Sequence, residues 1–239
     1  MKLLTLPGLL LLSLLAHAQS HEAPEKRVHV GINFSPDYSY RTLSGDGAQV
    51  TSDLIEGRNS IEEAKFGYTQ GLSLRYRVTK RLGLETGFLY SNKGYHVPKY
   101  NVGIDLFGGN EPSIVQWVVH YRFMEVPLKA TYSFTTGKFR GFATAGTTVG
   151  KLVQAEHILR AQQPDGYWQT RSTDSTTNFR SPMLSAVVGG GIDYHPNHWL
   201  MFRLAPELRY GMHSMVEDAP IQETLFTLGT NAGMYIAVL

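Results

Sequence analysis

A chain of 239 residues carrying 22 Lys+Arg against 20 Asp+Glu has no charge imbalance to attract nucleic acid, and it contains no basic run that would override the balance. With no cysteine it forms no disulfide, no thiolate metal site and no lipid-modified cysteine. Only 18% of its residues are charged while glycine reaches 24 and tyrosine 13, a low charge for a strand-rich secreted protein whose whole surface meets water.

The first element is a leader. "MKLLTLPGLLLLSLLAHAQS" places Lys2 before an apolar run from Leu3 to Leu15, then Ala16-His17-Ala18, the small residues a signal peptidase reads. Cleavage is expected after Ala18. Removing residues 1–18 takes away Lys2 and no acid, so 21 Lys+Arg remain against 20 Asp+Glu, a net charge near +1. No later stretch approaches the roughly 18 consecutive apolar residues of a helical span. The expected organisation is therefore a signal peptide (1–18), a short N-terminal segment (19–27) and one domain over 28–239.

Period-two alternation then marks eight strands: Val28 to Tyr38, Ala64 to Val78, Leu82 to Tyr95, Val115 to Phe134, Phe139 to Val153, Pro182 to His195, Leu200 to Met212 and Thr224 to Leu239. No segment has a convincing helical period. Short connections at Thr79 to Arg81, Thr135 to Lys138 and Pro196 to Trp199 alternate with longer ones at Ser39 to Glu63, His96 to Ile114, Gln154 to Ser181 and His213 to Glu223. Short turns at one end and long loops at the other are the pattern of an up-and-down barrel in an outer membrane. Within the long loops, Pro164-Asp165-Gly166 and Gly108-Gly109-Asn110 predict turns of hairpins that project beyond the membrane.

Two architectures share eight alternating strands: a soluble lipocalin-like carrier, apolar inside, and a membrane barrel, apolar outside. The less apolar row decides between them. It reads Gly67, Thr69, Gly71, Ser73 in the second strand, Gly83, Glu85, Gly87 in the third and Ser185, Gly189, Gly191, Asp193 in the sixth. Small residues suit a crowded lumen rather than a solvated surface. The opposite rows, such as Leu82, Leu84, Phe88, Tyr90 and Leu200, Phe202, Leu204, Leu208, Tyr210, carry no charge, as lipid contact requires. Aromatics gather at both strand ends as two girdles: Tyr76, Tyr132, Phe134, Phe139, Tyr194 and Trp199 near the short turns, and Phe66, Tyr68, Tyr90, Trp117 and Tyr210 near the loops. The fold expected is all-β, an eight-stranded antiparallel up-and-down transmembrane β-barrel of the outer membrane.

The candidate site is the set of charges on the lumen face: Arg75, Arg77, Glu85, Glu125, Lys129, Asp193, Arg203, Glu207 and Arg209. Buried charges must pair, so the set is read as a structural ion-pair network, with Arg75 opposite Glu85 if Val78 faces Leu82 across the tight turn.

Three stretches carry a family resemblance. "YRFMEVPLKATYSF" (Tyr121 to Phe134), "LGLETGFLYSNKGY" (Leu82 to Tyr95) and "VVGGGIDY" (Val187 to Tyr194) are similar, in order, to strands of the PorT-like outer-membrane β-barrel family of Gram-negative bacteria. The resemblance spans most of the mature chain. It implies an outer-membrane address, and a lysine where Thr131 stands here; Lys129, on the same face as Glu125, is the substitute lumen partner. Apolar parity changes between Phe123 and Val126, which predicts a bulge beside Pro127. The final residue, Leu239, replaces the aromatic usual in outer-membrane proteins, although Met234, Ile236 and Val238 keep an apolar row.

No cofactor or metal is expected. His213-Ser214, with Glu217 or Glu223 to orient the imidazole, is the best acyl-transfer candidate, but neighbouring strand residues point opposite ways. His195 and His198 flank the Pro196-Asn197 turn with no third ligand nearby, and Asp165 and Asp174 lack calcium-loop spacing. The reading is a non-enzymatic, monomeric barrel among outer-membrane lipids, acting through its loops in binding, envelope structure or a secretion assembly. A barrel enzyme acting on outer-membrane lipid is the alternative, and a lipocalin-like carrier a further one.

Overall fold

The computed structural model describes residues 27–101, 114–162, 166–174, 176, 179–216 and 219–238. The expected signal peptide, most of the segment after it, Gly108-Gly109-Asn110, Pro164-Asp165, Glu217 and Leu239 lie outside the described residues.

The alternating segments fold as strands β1 (Val28–Gly45), β2 (Glu63–Arg77), β3 (Leu82–Asn101), β4 (Ile114–Ser133), β5 (Phe139–Gln162), β6 (Trp168–Asp174), β7 (Met183–Tyr194), β8 (Leu200–Gly211) and β9 (Ile221–Ala237), with one helix, α1 (Gln49–Ile61), between β1 and β2. All pairings are antiparallel. The order β4-β3-β2-β1-β9-β8-β7-β5 closes on itself through β4–β5, so eight strands form a ring and β6 pairs outside it with the upper part of β5. Closure leaves the ring without an edge, as a sheet requires where no water is available to its backbone groups.

The side-chain rows follow the expected sides. Phe66, Phe88, Val188, Ile192, Leu204 and Leu228 stand on the outer surface, while Thr69, Ser73, Glu85, Thr144, Asp193 and Thr227 are buried within. An Arg or Lys placed on the outer row at mid-depth would cost about 2–4 kcal/mol, and the charges that do stand outward, Arg122, Lys151 and Glu156, lie in the upper parts of β4 and β5 towards the loops. Aromatic pairs mark both rims: Tyr132 with Phe134 and Phe139 stacked on Tyr194 at 4.6 Å near the short turns, Tyr38 with Phe66 and Tyr68 with Tyr90 near the loops. A lipocalin-like reading fails on the same rows, because its apolar side would face inward.

Four expectations need correction. The loop after β1 contains a helix; among its described residues only Thr51 is buried, so α1 has almost no apolar stripe to announce it. The strands run further than their alternation, β1 to Gly45, β3 to Asn101 and β5 to Gln162, and the last continues into the β5–β6 hairpin, paired from Glu156↔Asp174 to Gln162↔Trp168. The bulge beside Pro127 is on the partner strand instead: Arg122 faces Gln154 and Phe123 faces Leu152, so Val153 of β5 is the extra residue. β4 keeps its odd residues inward throughout, Tyr121 and Phe123 as well as Glu125 and Lys129, because the upper barrel interior is itself apolar. For the same reason Trp117 belongs to no lipid girdle; it lines a cleft at the mouth.

Candidate functional site

Inward-pointing residues from six strands meet along the barrel axis. Arg75 (β2) reaches Asp193 (β7) at 2.7 Å, and Arg203 (β8) bridges that carboxylate at 2.8 Å and Glu85 (β3) at 2.7 Å. Lys129 (β4) links Glu85 at 2.8 Å to Glu207 (β8) at 3.0 Å. Arg209 carries the chain on from Glu207 at 3.0 Å to Asp37 (β1) at 3.1 Å, where Thr69 and Ser35 also donate to the carboxylate. Beside it Lys93 pairs with Glu125, which accepts a further bond from Ser91 at 2.9 Å. Five cations (Arg75, Lys93, Lys129, Arg203, Arg209) meet five carboxylates (Asp37, Glu85, Glu125, Asp193, Glu207). In a low-dielectric lumen that equality matters, since one unmatched charge would cost several kcal/mol.

Arg75 does lie opposite Glu85 in register, yet the two side chains take other partners, because Glu85 also faces Lys129 across β3–β4. Lys129 does not serve Glu125; Lys93 does. Arg77 sits half-buried at the short-turn rim, where it lines a cavity of about 20 Å³ with His29, Arg75, Arg140 and His195. A second cavity of about 20 Å³ lies between Lys93, Glu125 and Arg209. Either has room for little more than a water molecule. Asp37 and Lys93 are the members sequence reasoning missed. Asp37 was legible in the odd row Gly31, Asn33, Ser35, Asp37; Lys93 stood on the odd row Gly83, Glu85, Gly87, Ser91 inside the expected third strand, a row that Leu89 interrupts.

Above the ion pairs the interior turns apolar. Tyr95, Tyr121, Phe123, Leu152, Met183, Met215 and Leu225 form one buried cluster, with Tyr40, Phe179 and Val216 against it. Helix α1 is fastened over this layer by its C-terminal end. Glu62 accepts from Arg41 at 2.6 Å and from Arg58 at 2.6 Å, and Arg58 continues to Glu223 at 3.0 Å and to the Tyr95 hydroxyl at 3.0 Å. Burial works against the Arg58 charge, but the Glu62 and Glu223 carboxylates outweigh it and hold the guanidinium above its ordinary pKa. Between α1 and the upper β3–β5 sheet opens a cleft of about 370 Å³, walled by Ile61, Tyr95, Val97, Tyr100, Trp117 and Val119, with Arg58, Glu62 and His157 as its polar groups. That volume and lining are those of a small-ligand or side-chain anchor site.

The acyl-transfer candidates are otherwise engaged. Ser214 donates to the Val216 carbonyl at 3.1 Å and accepts from the backbone of Val216 and Glu223, and His213 Nε2 accepts from the Leu184 N–H at 3.3 Å. Glu223 faces Arg58 and Tyr121. Among the described residues no three His, Cys, Asp or Glu side chains gather as a metal site; Asp174 accepts from Gln154 at 2.5 Å.

No curated protein matches the chain. Among solved structures it is similar to Neisserial surface protein A (TM-score 0.45, 11% identity, 88% of this chain and 97% of that one), to the outer membrane protein OprG of Pseudomonas aeruginosa (0.42, 10%, 92% and 100%) and to the outer membrane protease OmpT of Escherichia coli (0.37, 7%, 92% and 99%). Identities this low say nothing of function. The model of the outer membrane protein beta-barrel domain family matches residues 17–217, most of the chain. The closed ring, its apolar outer belt and this match agree: the chain belongs to the outer membrane protein beta-barrel domain family and resides in the outer membrane.

Proposed function

We propose that this chain is a PorT-like, non-enzymatic, monomeric barrel that works at its loop end, presenting the cleft under α1 and the β5–β6 hairpin to an envelope or secretion-assembly partner while the lumen stays shut. The observation that supports it is double closure: a charge-matched ion-pair column below and an aromatic layer above, with cavities of only about 20 Å³ between the ion-paired side chains. Solute passage would break several buried pairs at once, each a loss of about 3–5 kcal/mol. What remains open is the mouth, where Ile61 of α1, Tyr100 and Trp117 of the upper wall and Trp168 of the β5–β6 hairpin expose apolar area.

Two measurements test the reading. Purified protein in planar bilayers is expected to show no stepwise conductance. A photo-crosslinking residue in place of Ile61 or Trp168 is expected to give a discrete protein adduct in intact envelopes. A steady conductance would contradict the sealed lumen. A lipid A profile that changes in a His213→Ala strain would move the protein to the enzyme reading.

A further inference from the structure

Towards the loop end the outer wall is apolar on one side of the barrel and charged on the other. The register row Leu208, Leu228, Tyr38, Phe66 carries exposed apolar and aromatic side chains across β8, β9, β1 and β2. On β3 to β5 the pattern breaks: Asn92 faces Arg122, and Arg122 faces Gln154, all on the outward side. Lys151 stands exposed below them, opposite Met124. Behind this surface lies a buried cation, since Lys65 Nζ is 2.6 Å from His120 Nδ1 and 3.1 Å from Asn92 Oδ1.

The described carboxylates of this face stand in the rows above Arg122. Glu63 faces His96, Glu156 accepts from Arg122 and Ser172 at 2.9 Å each, and Asp174 accepts from Gln154 at 2.5 Å. Lys151, at the lower edge, has no carboxylate within ion-pair distance among the described residues. It borders the lipid belt instead.

At the level of Lys151 and below it the wall is hollowed. Gln70, Leu72, Phe88, Tyr90 and Met124 border an outward recess of about 410 Å³. Its upper row, Gln70, Tyr90 and Met124, continues in register to Lys151, so the recess reaches up to the cations. Leu72, Phe88 and Met124 are exposed on the face that meets acyl chains. A free anion would use the cations and leave the recess empty; an amphiphile with an anionic head fills both.

We propose that this face binds one phosphorylated glycolipid of the outer leaflet, of the lipid A type, with an acyl chain in the recess and a headgroup phosphate between Lys151 and Arg122. The two residues are diagonal neighbours across β4–β5, about 7–8 Å apart, a gap that one phosphate and two long side chains span. The longer loops of such barrels are extracellular, which sets this height in the outer leaflet.

Native mass spectrometry of the protein in non-ionic detergent, with diphosphoryl lipid A added, counts the lipid retained. One lipid A per barrel is expected. Dephosphorylated lipid A should bind at least tenfold more weakly, and inorganic phosphate at the same concentration should not displace the lipid. At roughly fivefold per cation, Lys151→Gln should weaken retention about fivefold and Arg122→Gln/Lys151→Gln tenfold or more. Lys151 is exposed and makes no ion pair with a described carboxylate, so the single variant reads out even if the double one is unstable. Arg27→Gln/Arg81→Gln, at the other end of the barrel, should retain lipid A as the unmutated protein does. No retained lipid A, equal retention of the dephosphorylated form, displacement by inorganic phosphate, or retention unchanged in Lys151→Gln would each overturn the proposal.

Discussion

Arg203 is the residue on which the lumen turns. Its guanidinium stacks 4.1 Å from the Phe142 ring and is shared by Asp193 and Glu85, so its removal leaves two buried carboxylates with one cation partner each. An Arg203→Met variant is expected to lose about 3–5 kcal/mol in urea unfolding from lipid vesicles. Gly229 is as strict in a different way: a Cβ there would strike the Asp37 carboxylate and the Ser35 hydroxyl. Gly229→Val should displace Asp37 from Arg209 and lower stability by a similar amount, whereas Thr227→Val, on the same row, should cost only about 1 kcal/mol in the same assay. At the short-turn end, burial, reinforced by Arg140, lowers His195 from an ordinary 6.5 to about 4. The unfolded chain takes up that proton first, so the contribution is complete above pH 6.5 and is lost as pH falls to about 4. A pH titration of the unfolding free energy should show this fall, and His195→Asn should make it shallower.

At the scale of elements, the ring strands were readable because lipid and lumen impose opposite chemistries on alternate residues. Leu82 to Tyr90 shows it, with Leu84 and Phe88 outside and Gly83 and Glu85 inside. The rule weakens where the barrel rises out of the membrane. Upper β4 turns Tyr121 and Phe123 inward into an apolar layer, so a row that reads as lipid-facing is in fact core, and the β5 bulge at Val153 leaves no mark in its own strand's pattern. Helix α1 was illegible because polar clasps hold it, not an apolar face. Those clasps make a prediction. Glu62→Gln removes charge from both Arg41 and Arg58, at a cost of about 1.5–3 kcal/mol in helix docking, and should speed trypsin cleavage at Arg58 in intact outer membranes by roughly tenfold or more. The ion-pair site was legible as a set but not as a wiring diagram: register put Arg75 beside Glu85, while the partners actually taken depend on how far side chains reach across the lumen.

The whole molecule is a stack of four environments. An aromatic rim faces the short turns, a charge-neutral column of ion pairs fills the lower lumen, an apolar layer caps it, and a clasped helix with a raised hairpin shapes an open cleft at the mouth. All of this presupposes that the uncharged rows touch acyl chains. Because the chain has no cysteine, single nitroxide labels at Leu72→Cys, Leu204→Cys and Leu228→Cys can be read without background in reconstituted vesicles. The account predicts that collisions with oxygen far exceed those with a water-soluble nickel complex at all three positions, with Asp46→Cys in the loops showing the reverse. Labels at Leu72, Leu204 and Leu228 that meet the nickel complex as readily as the loop label does would contradict it.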